Sequence, residues 1–183
     1  AFSTENWKRP PLEVKTLMGL LQSYLESELA DLVKNNVSLR CIGEKEKLPD
    51  APRQVLEKVI ATTAENTGLI LNLALSYGSR SEIIMAVKKL AEDCVSGRLQ
   101  PDDITENLFS QHLYTGGLHD PDLVIRTGGE SRLSNFLLWQ ASYSEIYITE
   151  TKWPDFDRLQ LIEAIYNYQQ RQRRFGKTGE QVK

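Results

Sequence analysis

The sequence has little cysteine, little histidine and no long apolar run, and each shortage argues against a class of protein. It contains two cysteines, Cys41 and Cys94, and two histidines among 183 residues. Because no Cys-x-x-Cys pair and no Cys/His cluster is present, neither a disulfide framework nor a zinc site is predicted, and a reducing compartment fits. No apolar stretch approaches 18 residues, so the sequence predicts no membrane span.

Glycine and proline follow no repeating pattern, and neither sign of charge is in strong excess. The 11 glycines and 7 prolines are scattered without a period, which excludes collagen-like and repeat architectures. A 40% hydrophobic content with a net charge of -3 argues against disorder. A pI near 5.5 argues against a nucleic-acid binder. The basic segment 171–183 stays open between a solvated tail and a functional one.

Apolar patterns with helical and strand periods alternate along the chain. This alternation predicts an α/β fold, a single domain over 1–183 with a mostly parallel sheet flanked by helices. Strands are predicted over 37–42, 69–75, 123–125 and 146–148, with residues 1–2 ending another strand; helices are predicted over 11–34, around 55–60, and over 81–95, 102–113, 134–139 and 155–174.

Two of these elements carry specific packing expectations. The segment 69–75 (LILNLAL) is nearly all apolar, which predicts a strand buried on both faces of a parallel sheet. The helix over 81–95 is expected to face the core with its apolar residues, namely Ile83, Ile84, Val87, Leu90 and Ala91.

The loop 126–134 (RTGGESRLS) crowds several anion-binding groups after a predicted strand. Gly128 and Gly129 would let backbone N–H groups form a concavity for an anion. Arg126 and Arg132 supply permanent charge and forked donors that match phosphate oxygens. Ser134 would add a hydroxyl at a helix N-terminus. The loop therefore predicts a phosphate or diphosphate site, and the alternative is a tight turn with two surface arginines.

Three further groups of residues allow both a functional and a structural interpretation. The segment 3–9 (STENWKR) is rich in polar groups but also fits a capping segment with Trp7 as packing. Glu145 would need a partner carboxylate or substrate phosphates to hold Mg²⁺. His112 is expected to be structural and His119 exposed, because neither has a Ser or Cys nucleophile at a suggestive spacing.

Several motifs resemble signature segments of the cis-prenyltransferases, the undecaprenyl diphosphate synthase family. They are residues 1–10 (AFSTENWKRP), 72–80 (NLALSYGSR), 120–140 (DPDLVIRTGGESRLSNFLLWQ) with Tyr143-Ser-Glu145 after it, 153–156 (WPDF) and 173–176 (RRFG). The resemblance covers essentially the whole chain, and the third motif is long and specific.

The resemblance implies a role for each matching residue. Arg126, Arg132 and Ser134, with Leu133 beside them, would bind the diphosphate of isopentenyl diphosphate, and Glu145 would be a Mg²⁺ ligand. Asn6 would be catalytic, helping to take the proton lost from the isopentenyl unit. The remaining assignments are substrate-site residues Ser3, Thr4, Glu5, Trp7 and Arg9; an Arg-x-Gly element at Arg174 and Gly176; and tunnel-wall residues Leu17, Leu21, Leu25 and Leu69.

The resemblance also implies what the whole protein does. It would add isopentenyl diphosphate to farnesyl diphosphate or another allylic diphosphate, with Mg²⁺ as cofactor, as a cytoplasmic homodimer with peripheral membrane contact and no nucleic-acid partner. The product would be a long polyprenyl diphosphate such as undecaprenyl diphosphate, a lipid carrier for cell-wall synthesis. The alternatives are a non-catalytic prenyltransferase-like partner subunit and a generic phosphate-binding α/β module.

One departure from the family pattern concerns the beginning of the sequence. Family members carry an upstream Asp-Gly-Asn-Gly-Arg-Trp segment, whose Asp binds Mg²⁺, and a central first strand. This sequence starts after both. We expect it to be a portion of a longer protein; the alternative is a fragment without an allylic site. A sheet without that strand is expected to expose apolar surface and unpaired edges.

Overall fold

The structure is a computed structural model that describes residues 1–173, and it divides the chain into two compact units. The first unit is Ala1–Gly117, and the second begins at Leu118. Strands pair in parallel in both units, which confirms the predicted α/β class and parallel sheet. That the whole chain forms one domain stays a prediction. No helix within residues 1–173 is both long enough and apolar enough to cross a membrane.

The elements alternate along the described chain. The strands are β1 (Phe2–Ser3), β2 (Ser38–Ile42), β3 (Ile70–Tyr77), β4 (Leu123–Arg126) and β5 (Glu145–Ile148). The helices are α1 (Pro11–Lys34), α2 (Asp50–Thr62), α3 (Ser79–Val95), α4 (Glu106–His112) and α5 (Arg158–Gln169), and four short 3₁₀ helices cover Thr4–Lys8, Lys45–Lys47, Pro101–Asp103 and Trp153–Asp155.

The first unit packs α1 and α2 against a three-stranded sheet in the order β1-β3-β2. Pro10 and Pro11 start α1, since proline lacks the N–H that a first helical turn leaves unpaired. Apolar residues at helical spacing then face the sheet. The buried core is Phe2, Met18, Leu25, Leu39, Leu48, Leu56, Val59 and Leu75. The sheet places the carboxyl ends of β1 and β3 side by side, with Ser3 opposite Tyr77.

Two packing predictions for the first unit are wrong in part. Strand β3 is buried from Ala74 onward, but Leu69 is 69% exposed, and Ile70 and Leu71 are also exposed. Two-sided burial therefore holds only for the carboxyl half of the strand, which is the half that carries β1 as a neighbour.

Helix α3 also faces inward with a different row of side chains than predicted. Its buried residues are Ser79, Glu82, Ala86 and Leu90. Leu90 is therefore confirmed and Ile83 is half-buried, but the predicted core residues Ile84, Val87 and Ala91 are exposed. The Glu82 carboxylate accepts hydrogen bonds from the Tyr77 hydroxyl at 2.5 Å and the Tyr114 N–H at 2.8 Å. Because these bonds fix the rotation of the helix, the row through Glu82 is turned toward the interior.

The second unit contains the β4-β5 pair and α5. Asp157 caps α5, its carboxylate accepting from the Leu159 N–H at 2.7 Å. The short helix predicted over 134–139 is absent, and this prediction is wrong. Ser134, Asn135 and Leu137 all have positive φ, near 48°, 61° and 47°. Left-handed residues cannot continue a right-handed helix, so the segment forms turns instead.

Candidate functional site

Most of the residues predicted in segment 3–9 lie in the 3₁₀ helix Thr4–Lys8, with Ser3 at the end of β1 before it and Arg9 directly after it. Asn6 closes a capping box, with its Oδ1 accepting the Ser3 N–H at 2.8 Å. The Thr4 hydroxyl donates to the Glu5 carboxylate at 3.0 Å, and Arg9 forms an ion pair with Glu13 of α1 at 2.8 Å. The capping interpretation, with Ser3 or Thr4 as the cap, is therefore confirmed at Ser3, and Asn6 takes part in the same capping box. A functional role is compatible with it, because a carbonyl oxygen has a second lone pair.

Trp7 is held by two contacts from neighbouring strands. Its Nε1–H donates to Ser76 Oγ at 2.9 Å, and its ring meets Phe2 edge to face with centroids 4.8 Å apart. Ser76 is fully buried and has φ near 48°, in the left-handed region. No pattern in the single sequence points to Ser76, because its role depends on its left-handed backbone one residue before the end of β3.

A buried carboxylate supports this end of the sheet as well. Glu82 has no exposed surface, and its partners Tyr77 and Tyr114 bring α3 and the segment after α4 to β3. Burial raises the pKa of Tyr114 above its ordinary value, and the carboxylates of Glu44, Glu46 and Glu82 raise it further. Sequence reasoning missed this cluster because a glutamate in an amphipathic helix is usually solvated.

The loop after β4 does not form the predicted anion concavity. The Gly128 N–H donates to the Thr151 carbonyl at 2.9 Å, and the Gly129 N–H donates to the Thr149 carbonyl at 2.9 Å. Both N–H groups are therefore used inside the protein. The prediction that these glycines offer backbone donors to an anion is wrong, and the helix N-terminus expected at Ser134 is absent too.

The two arginines of this loop nevertheless remain candidates, and they differ in their surroundings. Arg126, the last residue of β4, is half-buried, and its Nε is buried without a hydrogen-bond partner within residues 1–173. Arg132 is 66% exposed and pairs with the Glu130 carboxylate. Leu133 is half-buried, and Ser134 is exposed. An orphaned buried guanidinium N–H is costly unless an acceptor arrives, so Arg126 has the geometry of an anion-binding residue.

Glu145 begins β5 opposite Leu123 and already has a cationic partner. Its Oε2 lies 2.9 Å from Arg171 Nη1, which also donates to the Ile146 carbonyl at 2.9 Å. Among residues 1–173 no group of three or more His, Cys, Asp or Glu side chains is placed to hold a metal ion. Glu145 can therefore offer Mg²⁺ one carboxylate, and substrate oxygens would complete the coordination.

The first residues of the basic segment are ion-paired rather than solvated. Arg171 binds Glu145, and Arg173 binds the Asp122 carboxylate and donates to the Tyr168 hydroxyl at 3.3 Å. These hydrogen bonds, chiefly that to Asp122, raise the pKa of Arg173 above its ordinary value. The predicted Arg-x-Gly element at Arg174 and Gly176 lies outside the described residues.

The remaining candidates have structural positions. His112 Nδ1 lies 2.8 Å from the Leu108 carbonyl and Nε2 lies 3.7 Å from Asp93, as expected for a structural histidine, and His119 is exposed. Leu17 and Leu21 pack partly buried against the core, whereas Leu25 is buried within it. Leu25 therefore has little surface with which to line a tunnel.

Comparison with known sequences identifies the family. The sequence signature of the undecaprenyl diphosphate synthase family matches residues 1–176. An isoprenyl transferase from Heliobacterium mobile is 56% identical over 176 residues, which are 96% of this chain and 68% of that protein. An isoprenyl transferase from Porphyromonas gingivalis is 52% identical over 181 residues, which are 99% of this chain and 71% of that protein.

Solved structures give the same result. Lavandulyl diphosphate synthase from Lavandula x intermedia, solved with dimethylallyl diphosphate, has a TM-score of 0.94 and 38% identity, covering 97% of this chain and 77% of that one. A probable undecaprenyl diphosphate synthase from Campylobacter jejuni has a TM-score of 0.84 and 42% identity, covering 97% and 81%. The motifs, the sequence relatives and the fold agree, and the chain belongs to the undecaprenyl diphosphate synthase family of prenyltransferases.

Proposed function

We propose that the chain is a cis-prenyltransferase that adds isopentenyl diphosphate to an allylic diphosphate such as farnesyl diphosphate. Its family membership supports prenyl transfer. The Nε of Arg126, buried and without a hydrogen-bond partner in the part of the chain that the structure describes, supports a diphosphate substrate. In the reaction the allylic C–O bond breaks and its electron pair leaves with the diphosphate. The alkene of isopentenyl diphosphate then attacks the allylic carbon, and the proton lost from the isopentenyl unit passes to the diphosphate released in the first step.

Arg126, Arg132 and Ser134 are the proposed ligands of the isopentenyl diphosphate. Arg126 would supply the stronger contact, since its guanidinium is half-buried and charge-assisted bonds strengthen away from water. Arg132 would have to leave Glu130, and Ser134 would add one hydroxyl. Leu133, half-buried between them, would be an apolar contact. Holding the alkene in a fixed position accelerates attack by removing the need for a chance encounter.

The segment 3–9 is assigned to the allylic and proton-transfer chemistry. We propose that Asn6 helps to take the proton, through the lone pair of Oδ1 that the Ser3 N–H leaves available. Trp7, fixed by Ser76, and Arg9, fixed by Glu13, would present an indole face and a cation to the substrate. Ser3, Thr4 and Glu5 would line the same site with polar groups.

Glu145 is the proposed Mg²⁺ ligand in this chain. That position already attracts a cation, Arg171, so a metal ion suits its charge. When bound, Mg²⁺ would stabilise the negative charge of the departing diphosphate. The Arg171 contact also favours a second candidate function, a non-catalytic prenyltransferase-like partner subunit in which a guanidinium occupies the cation position permanently.

The wider assignments follow the family. We propose a homodimer in the cytoplasm with peripheral membrane contact, since a polyprenyl product is a lipid, and a long-chain product such as undecaprenyl diphosphate. A relative in Campylobacter jejuni is named for that product.

Transfer of labelled isopentenyl diphosphate to farnesyl diphosphate tests the proposal. Purified protein with Mg²⁺ should give label in an organic extract, EDTA should abolish it, and Glu145→Gln should raise the Mg²⁺ requirement. Glu106→Gln, at an exposed position in α4, is the charge-matched control. Binding of isopentenyl diphosphate without transfer would favour the partner subunit. Neither binding nor transfer would overturn both functions.

A further inference from the structure

Ser76 is the extra residue of a β-bulge between β1 and β3. The two strands pair Phe2 with Leu75 and Ser3 with Tyr77, so Ser76 has no counterpart on β1. Its φ near 48° lies in the left-handed region, which is unfavourable for a serine. A bulge of this kind redirects the side chain that it carries, and such strained positions cluster beside functional sites.

The neighbours of Ser76 hold this conformation from both sides. The Ser76 carbonyl accepts a hydrogen bond from the Glu44 N–H at 3.2 Å, in the segment that follows β2. The next residue, Tyr77, donates its hydroxyl to the buried Glu82 carboxylate at 2.5 Å, which ties it to α3. Ser76 itself has no exposed surface. Because the backbone is held on both sides, the direction of the Ser76 side chain is fixed.

The Ser76 side chain is directed at segment 3–9. Its Oγ accepts the indole N–H of Trp7 at 2.9 Å. Trp7 follows Asn6 in the short 3₁₀ helix after β1, and Asn6 in turn accepts the Ser3 N–H at 2.8 Å. Two side-chain hydrogen bonds therefore hold this helix, one at its N-cap and one at Trp7. Since a 3₁₀ helix of this length has few bonds of its own, these two contacts set its position.

Stability alone does not account for the bulge. A hydrogen bond inside a protein stabilises the fold, on balance, by about as much as a left-handed serine destabilises it, so the two effects nearly cancel. A regular strand with an apolar residue at this position would avoid both the backbone strain and the buried hydroxyl. The bulge therefore adds a fixed acceptor for Trp7 rather than a gain in stability.

We infer that Ser76 is a positioning residue for prenyl transfer, one that acts through Trp7 to hold segment 3–9 against the bound substrates. The inference rests on the proposed function, because that function assigns the reaction to this segment. Ser76 acts on the reaction through another residue, so it should influence the rate of transfer more than the affinity for substrate.

Steady-state transfer of labelled isopentenyl diphosphate to farnesyl diphosphate tests the inference in Ser76→Ala. Alanine and serine have a similar cost at positive φ, so this change removes the hydroxyl and little else. We expect kcat to fall about 10-fold, because displaced catalytic groups lose their alignment. The dissociation constant of isopentenyl diphosphate, measured by calorimetry, should stay within about 2-fold of the parent value, since the loop 126–134 is untouched. Ser76→Asn, which tolerates positive φ and offers an amide oxygen, should recover much of the lost kcat.

Thr63→Val is the matched control for the loss of a buried hydroxyl. Thr63 is fully buried in the same unit, where its hydroxyl accepts the Leu39 N–H at 3.0 Å and donates to the Val59 carbonyl at 2.9 Å. Valine has nearly the same shape, so this variant should lose at least as much stability as Ser76→Ala does. It should keep the parent kcat, because these hydrogen bonds join α2 to β2 and not to segment 3–9.

A double-mutant cycle with Trp7→Phe shows whether Ser76 acts through the indole. Phenylalanine keeps an aromatic ring but has no N–H, so Ser76→Ala should lower kcat no further in a Trp7→Phe protein. An equal loss of kcat in both backgrounds would overturn the inference, and so would the parent kcat in Ser76→Ala. A parent protein without transfer would overturn the proposed function together with the inference, whereas the first two outcomes overturn the inference alone.

Discussion

The two segments that carry the candidate residues are held in opposite ways. In segment 3–9 the side chains are tied to the protein: Asn6 to the Ser3 N–H, and Trp7 to Ser76. In segment 126–134 the backbone is tied, through the N–H groups of Gly128 and Gly129, while the Arg126 Nε has no hydrogen-bond partner among the residues that the structure describes. In the first segment hydrogen bonds fix the positions of the side chains. In the second they fix the backbone of the loop that carries the charged side chains.

This difference predicts where mutations act. A change in the residues that support segment 3–9 should alter stability or the position of Trp7. A change in the charged side chains of segment 126–134 should alter anion binding and leave stability nearly unchanged, because those side chains contribute little to packing.

Two glycines with positive φ give the largest expected contrast. Gly43, which follows β2, has φ near 105°, and a Cβ there would collide with the Leu75 carbonyl oxygen. Gly128 has φ near 76° with open space around it. We expect Gly43→Ala to lower the free energy of unfolding by about 3 kcal/mol or more, and Gly128→Ala by about 1 kcal/mol from backbone strain alone. Urea unfolding measures both.

Gly129→Ala is the control that compares a collision with a side chain to the collision with the backbone at Gly43. The atoms nearest to its Cβ would be those of the Glu150 carboxylate, the end of a flexible exposed side chain that can move away. Equal losses for Gly43→Ala and Gly128→Ala would contradict the view that the end of β3 is the more rigid support.

Arginine truncation should have the next largest effect, on binding rather than on folding. Arg126→Ala should weaken binding of isopentenyl diphosphate on the order of 100-fold, since a charge-assisted contact removed from a partly buried site costs about 2–5 kcal/mol. Arg132→Ala should weaken it less, because Arg132 is exposed and already paired with Glu130. Calorimetry measures the affinity, and unchanged melting temperatures confirm the fold. If both variants bind isopentenyl diphosphate as tightly as the parent protein does, the loop is not part of the diphosphate site.

The sequence predicted the parts of these segments that depend on residue type. Helix α1 begins and ends as predicted, and the strands lie within about two residues of the predicted bounds. Arg126 was singled out because its charge and forked donors come where a predicted strand ends, and its role in anion binding stays a prediction. The wrong predictions, the Gly128-Gly129 concavity and the helix at Ser134, depend on where backbone N–H groups point. That direction is set by Thr149 and Thr151, which lie some 20 residues away and which no local pattern connects to the loop.

Substitutions of Ser76, the acceptor of the Trp7 indole N–H, test whether the side chains of segment 3–9 are held in place, and we expect a smaller effect than that of Arg126→Ala. Ser76→Gly keeps the left-handed backbone but removes the acceptor of the Trp7 indole N–H, which should cost about 1 kcal/mol and shift the Trp7 indole signal in a ¹H–¹⁵N spectrum. Ser76→Asn should retain both the backbone and an acceptor, because asparagine tolerates positive φ. Its indole signal should stay close to that of the parent protein.

Comparison of the two variants separates backbone strain from the hydrogen bond. If Ser76→Gly leaves the indole signal and its hydrogen-exchange protection unchanged, the Phe2 ring alone positions Trp7. The same pair of variants sharpens the comparison with the second segment. Neither should change the affinity for isopentenyl diphosphate as much as Arg126→Ala does.

Burial of Glu82 shows why such supports escape sequence reading. A helical glutamate fits a solvated face as well as a buried one, and only the Tyr77 and Tyr114 partners decide between them. Three of the five residues predicted to face the core, Ile84, Val87 and Ala91, are exposed, whereas Leu90 is buried as predicted. The periodicity predicted the right helix and only part of the right face, because a buried carboxylate whose hydrogen bonds are satisfied can occupy a core position.

The smallest expected effect comes from an arginine–aspartate pair in the first unit. Asp93 in α3 accepts hydrogen bonds from Arg98 at 2.5 and 2.9 Å and lies near His112, and these partners, Arg98 foremost, hold its pKa below the ordinary 3.8. A lowered pKa in the folded state means that the pair stabilises the fold above pH 3.8 and that this contribution is lost as the pH falls below it. Asp93→Asn should therefore lower the melting temperature slightly at pH 7, and this difference from the parent should shrink toward pH 3. Glu92→Gln, exposed beside it, should show no such convergence. A constant difference between the Asp93→Asn variant and the parent protein at all pH values would mean that packing, and not charge, makes the contribution.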